Sequence, residues 1–132
     1  MQPRKPSAYH IWDDSKWVLD LDKLKAEKRA KIAEARWRAE TGGITLNGTE
    51  IATDRESQAL LTGAVLKAKD DPAYSVRWKA RNGWVGLDAA KIIAIADAVR
   101  DHVQACFDKE EVLQNQIDAV TTEVELEAVV WE

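Results

Sequence analysis

The sequence predicts an α+β fold: a small antiparallel sheet of two β-hairpins packed on three main helices, the last one long. Three observations predict it. Two Asn-Gly dipeptides, Asn47-Gly48 and Asn82-Gly83, each sit between short segments of strand-forming residues, the strongest local signal for a tight hairpin. The stretches 21–40 and 89–120 contain neither Gly nor Pro, and 55–69 contains only Gly63. Their apolar residues recur at steps of three and four, the helical period.

The elements follow in order. Residues 1–10 carry two of the three prolines and no apolar pattern, as in an arm. Tyr9–Trp12 and Lys16–Leu19 flank the turn-forming cluster Asp13-Asp14-Ser15, so a small hairpin is expected there. Two strands alone are marginal, so it must lean on something else. We therefore divide the chain into an N-terminal arm with a short Trp-containing segment, 1–20, and an α+β domain, 21–132.

The helix from Leu21 to Glu40 has two apolar faces. One holds Leu21, Leu24, Ile32, Ala35 and Ala39; the other holds Ala26, Ala30, Ala33 and Trp37. Either a second neighbour covers the alanine face or that face is exposed, which costs little for alanine. Thr41-Gly42-Gly43 stops the helix through a left-handed glycine cap. "ITL" and "TEI" then pair around Asn47-Gly48. Asp54 caps a helix from Arg55 to Lys69, with Leu60, Leu61, Ala64, Val65 and Ala68 expected inward and Gly63 permitting close approach of a neighbour.

After Asp70-Asp71-Pro72, Val76, Trp78 and Ala80 alternate with Ser75, Arg77, Lys79 and Arg81. The strand period puts Trp78 inward and the bases outward. Asn82-Gly83, read as a second type I′ turn, leads into the return strand Trp84–Leu87. Asp88 caps the long helix 89–120, whose seam Ile92, Ile95, Val99, Val103, Cys106, Leu113, Ile117 and Val120 is interrupted at Glu110. Such a length requires either a break near Asp108–Glu111 or an end that projects into a partner. Thr122-Glu123-Val124-Glu125 is a capping-box pattern opening a short last helix, and Val129, Val130 and Trp131 would tether the terminus.

Charge narrows the function. The net charge of −4 argues against a general nucleic-acid binder. Asp22 to Glu40 holds seven Lys/Arg against four acids, and Asp101 to Glu132 nine acids against one Lys, so the two segments could attract each other within a chain or between chains. Cys106 is the only cysteine and can form no internal disulfide. "MQPRKPSAYH" has no apolar core of the kind a secretory leader carries, and no apolar run approaches the ~20 residues of a membrane span. Neither a membrane nor a nucleic acid is expected as partner.

No catalytic constellation stands out. His102 and Cys106 are four apart on one helix, but zinc needs three or four ligands and Cys106 lies on the apolar seam. The acid pairs Asp13-Asp14 and Asp70-Asp71 read as turn and cap residues. There is no phosphate-binding glycine loop, no dinucleotide fingerprint and no nucleophile elbow. We expect no enzyme, no cofactor and no bound metal. The six tryptophans fit a core, an interface or a stacking platform. Candidate interface residues are Trp12, Trp17, Trp37, Leu113 and Ile117: the first three are aromatic, and the last two extend a seam beyond what a short sheet covers. A dimer or trimer held by helices is the corresponding expectation.

The ordered strings "KRAKIAEARWRAETGGITLNGTEIATDRESQALLTGAV", "VRWKARNGWVGLDAAKIIAIADAVRDHVQACF" and "QIDAVTTEVELEAVVW" resemble a bacteriophage family, domain of unknown function 4376, over about residues 22–131. "YHIWDDSKWVLD" is similar to the short segment that precedes this domain in tail-fibre assembly proteins. The resemblance implies a phage or prophage tail protein without catalytic residues. Its role would be that of a tail-fibre assembly chaperone or accessory factor, working in the host cytoplasm during assembly. The alternative is a structural tail or fibre component kept in the virion; a receptor or sugar-binding module is a third reading. The implied partner is a tail-fibre or other tail protein.

Overall fold

The computed structural model describes residues 3–132. The chain is α+β: β1 (His10–Asp13), β2 (Lys16–Leu19), α1 (Leu21–Thr41), β3 (Ile44–Leu46), β4 (Thr49–Ile51), α2 (Arg55–Asp70), β5 (Ser75–Ala80), β6 (Gly83–Asp88), α3 (Ala89–Ala119) and α4 (Glu123–Glu127). The strands form three separate antiparallel pairs, β1–β2, β3–β4 and β5–β6, rather than one four-stranded ladder. Of the two alternatives for the long helix, the break does not occur; α3 runs unbroken through Asp108–Glu111. No Gly or Pro interrupts it, and side-chain bonds four residues apart, Gln104 to Asp108 and Gln114 to Glu110, span the charged stretch.

Contacts group the chain into two compact units, Met1–Ala35 with Lys109–Glu132, and Arg36–Asp108. The first is built on Ile32, Leu113, Ile117, Leu126 and Val129, with Leu21, Leu24, Val120 and Trp131 packed against them. Basic α1 and the acidic chain end do attract each other here. Arg29 pairs with Asp118, Lys25 Nζ donates to the Asp118 carbonyl at 3.3 Å, and Gln114 Nε2 donates to the Arg29 carbonyl at 3.2 Å. The N-terminal hairpin leans on α1, as a two-stranded element must. Tyr9 Oη donates to the Glu27 carboxylate, and Lys23 Nζ donates to the Ala8 carbonyl at 2.9 Å. Thr122 caps α4, its hydroxyl accepting from the Glu125 amide at 3.1 Å.

The seam residues Leu113 (8% exposed) and Ile117 (0%) are core residues of this unit. The chain's own last segment covers them, which removes the need for a partner there. The second face of α1 is different: Ala26, Ala30 and Trp37 are exposed.

The second unit has a core of Ile51, Leu61, Ala68, Leu87, Ala89, Ile92, Ile95 and Val99, closed by the half-buried Val76, Trp78 and Val85 of the β5–β6 hairpin. The first Asn-Gly turn has both central residues at positive φ, Asn47 at 49° and Gly48 at 79°, as type I′ requires. The second does not. Ala80 pairs with Gly83, so Arg81-Asn82 form the loop, and of the three only Gly83 has positive φ, at 134°. Tertiary contacts decide this. The Arg81 amide donates to the Glu50 carbonyl (2.9 Å), Asn82 Oδ1 accepts from the Glu50 amide (3.1 Å), and Asn82 Nδ2 donates to the Gly48 carbonyl (3.0 Å). One hairpin's loop thus clamps the other's turn.

Gly43, at φ 92°, follows the end of α1; a Cβ there would lie 2.7 Å from Arg81 Nη1 and 3.1 Å from the Ile51 carbonyl oxygen. At Gly48 a Cβ would meet nothing within 4 Å. Gly48→Ala is therefore expected to cost about 1 kcal/mol, from backbone conformation alone, and Gly43→Ala about 2–3 kcal/mol, because it also displaces Arg81. Denaturant titration of the two variants checks the order. Ile117→Asp is expected to lower stability by about 4 kcal/mol or more, as an unpaired carboxylate in a core; calorimetry should show loss of folding rather than dissociation of an oligomer.

Candidate functional site

Two features of the second unit stand out, a buried ion cluster and an open aromatic and basic groove. The cluster forms where α1 ends and α2 begins. Glu40, in the last turn of α1, is fully buried (0% exposed). Its carboxylate accepts from Arg36 Nη1 at 2.6 Å, Arg55 Nε at 2.5 Å, Arg55 Nη2 at 3.0 Å and Gln58 Nε2 at 3.1 Å. Arg36 stands one helical turn earlier, while Asp54 caps α2 and so fixes Arg55 and Gln58 in its first turn. Each guanidinium also lies on a ring: Arg36 over Phe107 at 4.4 Å and Arg55 over Trp37 at 5.1 Å.

Thr53, also fully buried, completes the corner. Its hydroxyl donates to the Glu40 carbonyl at 2.6 Å and accepts from the Gly43 amide at 2.8 Å. Burial alone would push the Glu40 carboxyl up; the bonds from Arg55, Gln58 and Arg36 outweigh it and hold the group below its ordinary value of 4.5. This arrangement holds structure: its acceptor oxygens are fully engaged by the chain's own donors.

The groove lies beside it, between α2 and the β5–β6 hairpin, and the half-buried Tyr74 and Trp78 also line it. Register pairs Lys79 with Trp84, Arg77 with Gly86 and Trp78 with Val85. Alternation therefore turns Arg77, Lys79 and Trp84 outward and Trp78 and Val85 inward. Trp84 is 63% exposed. From α2 come Leu60, Gly63 and Ala64. Leu60 is 61% exposed, against the expectation that it faces inward. Leu61 and Ala68 define the buried stripe, and Leu60 falls at its edge, over the groove. The groove encloses about 430 Å³; its lining includes Arg77 and Lys79 and no acidic residue.

The sequence-derived interface residues are scattered. Trp12 and Trp17 are half-buried on the N-terminal hairpin, where they pack edge to face with ring centres 5.2 Å apart. Trp37 is 46% exposed beneath Arg55. Leu113 and Ile117 lie in the other core. Trp84 and Leu60 were not singled out as interface residues, although the alternation that placed Trp78 inward also places Trp84 outward. Glu40 had no warning sign beyond being an acid at a helix end.

His102 Nε2 lies 2.8 Å from the Ala39 carbonyl oxygen, which can only accept, so Nε2 carries the proton. Cys106 Sγ, buried, is 3.9 Å from the same nitrogen. Among the described residues no group of three or more His, Cys, Asp or Glu could hold a metal ion. Among the described residues no helix is long and apolar enough to cross a membrane.

The fold and groove define a small α+β protein that presents an apolar, basic-rimmed surface. The chain belongs to the family described as Domain of unknown function (DUF4376), whose sequence model matches residues 23–130. Comparison with curated proteins and with solved structures gives no match to either.

Glu40→Gln is expected to cost about 3 kcal/mol, since it removes the charge that two arginines are placed around. The pH dependence follows from the sign of the shift. A carboxyl held below its ordinary value in the folded chain contributes fully above 4.5, and that contribution is lost as pH falls through the folded value. Urea titrations between pH 7 and pH 3 should show a steeper acid loss of stability in the unmodified protein than in Glu40→Gln.

Proposed function

We propose that the chain is a non-enzymatic bacteriophage or prophage tail protein, a tail-fibre assembly chaperone or accessory factor that acts by protein–protein binding. The observation that carries the binding part is the groove, where Trp84 and Leu60 are each more than half exposed beside Arg77 and Lys79. A monomer gains nothing by exposing a large aromatic and a leucine together, and a tryptophan beside an arginine is the material of interface hot spots. The tail-fibre part rests on the association that the family resemblance implies. A chaperone of this kind would cover apolar fibre surface until the fibre assembles, and would work in the host cytoplasm.

The test is to follow the protein, by antibody, through an induced lysate and into purified virions. It should bind unassembled fibre protein in the lysate and be absent from mature particles. Stoichiometric retention in the particle would replace the chaperone reading with that of a structural tail component. Failure to bind any tail protein in the lysate would end both.

A further inference from the structure

We infer that the groove receives an acidic amphipathic helix of the partner, seated against α2 at Gly63. This rests on the protein-binding reading above and adds the chemistry of what is bound. Three observations converge.

The first is Gly63 itself. It lies in the middle of α2, where glycine weakens a helix relative to alanine. Glycine there is usually explained by a neighbour that needs the space. Here a Cβ at Gly63 would meet nothing within 4 Å. The close approach that Gly63 permits is therefore unused by the chain's own fold. Helices that pack closely on another helix do so over small residues, and Gly63-Ala64 provides them.

The second is the apolar content. Leu60 and Trp84 flank Gly63-Ala64 in one groove and are both exposed. Together they form a seat for an apolar stripe, the helix-in-groove mode of recognition.

The third is charge. The protein carries a net charge of −4, yet this lining holds Arg77 and Lys79 without an acid. Both bases are turned outward by the strand period. Local positive charge on a negative protein selects an acidic segment and sets its orientation. A nucleic acid is the other polyanion, but two bases supply little of the phosphate neutralisation it needs.

The test uses synthetic helical peptides of about 18 residues, long enough to hold a helix. Each carries one leucine stripe, flanked by Glu, Gln or Lys, and binding is read by fluorescence anisotropy. The Glu peptide should bind at least about tenfold tighter than the Lys peptide, and Arg77→Glu with Lys79→Glu should reverse that order. Gly63→Gln should match or exceed the thermal midpoint of the unmodified protein, because Gln is the better helix former. It should nevertheless bind the Glu peptide at least about tenfold more weakly, because its side chain blocks the approach.

Equal affinity for the Glu and Lys peptides, no binding at millimolar peptide, or unchanged binding by Gly63→Gln would overturn the inference. Tighter binding of a single-stranded oligonucleotide than of the Glu peptide would overturn it in favour of nucleic acid. None of these results depends on whether the protein is found with tail fibres, so the two readings fail separately.

Discussion

A single buried carboxylate organises the second unit. Glu40 is out of solvent, and an unpartnered charge there would cost several kcal/mol. The chain meets that cost with four N–H donors from three side chains, brought from the helix that carries Glu40 and from the helix that follows the first hairpin of this unit. The interaction is therefore not local. It can form only if α1 ends where it does, if the chain reverses through β3 and β4, and if α2 starts just after its cap, Asp54. Thr53 and Gly43 tie the backbone of the same corner together, so the end of α1 and the start of α2 are fixed by side-chain and main-chain bonds at once.

From that corner the rest of the unit follows. Arg81 donates from its side chain to the Gly42 carbonyl at 2.7 Å and from its amide to Glu50, which places the β5–β6 hairpin against the end of α1 and the turn of β3–β4. Its inner face then closes the core over Leu61 and Ile92, and its outer face carries Lys79 and Trp84 beside Leu60. The exposed groove is thus a consequence of the buried ion cluster. The cluster sets where α2 begins, the clamp sets where the hairpin lies, and alternation sets which side chains remain outside.

Much of this was legible in the sequence, for identifiable reasons. Helix ends were marked by Asp54, Thr122 and the Gly42-Gly43 pair, whose capping chemistry is local. The inward position of Trp78 followed from the two-residue period. What could not be read depended on distant partners. Asn82-Gly83 looks like a type I′ turn, yet the clamp onto Glu50 and Gly48 shifts the loop by one residue. Leu113 and Ile117 seemed to demand a second subunit because the residues that cover them, Leu126 and Val129, follow a turn whose return could not be foreseen. Leu60 and Leu61 are adjacent leucines on a helix, and periodicity alone did not say which of them the core would take. Glu40 was invisible because two of its three partners, Arg55 and Gln58, come from the next helix, on the far side of the β3–β4 hairpin.

This corner requires Glu40 to be an ionised, fully engaged carboxylate in the folded protein. Its side-chain carboxyl carbon, followed by nuclear magnetic resonance as pH is lowered, reports this directly. In the folded protein Glu40 should stay ionised below the ordinary glutamate value of 4.5. A Glu40 that titrates at or above 4.5 while the protein remains folded would contradict it.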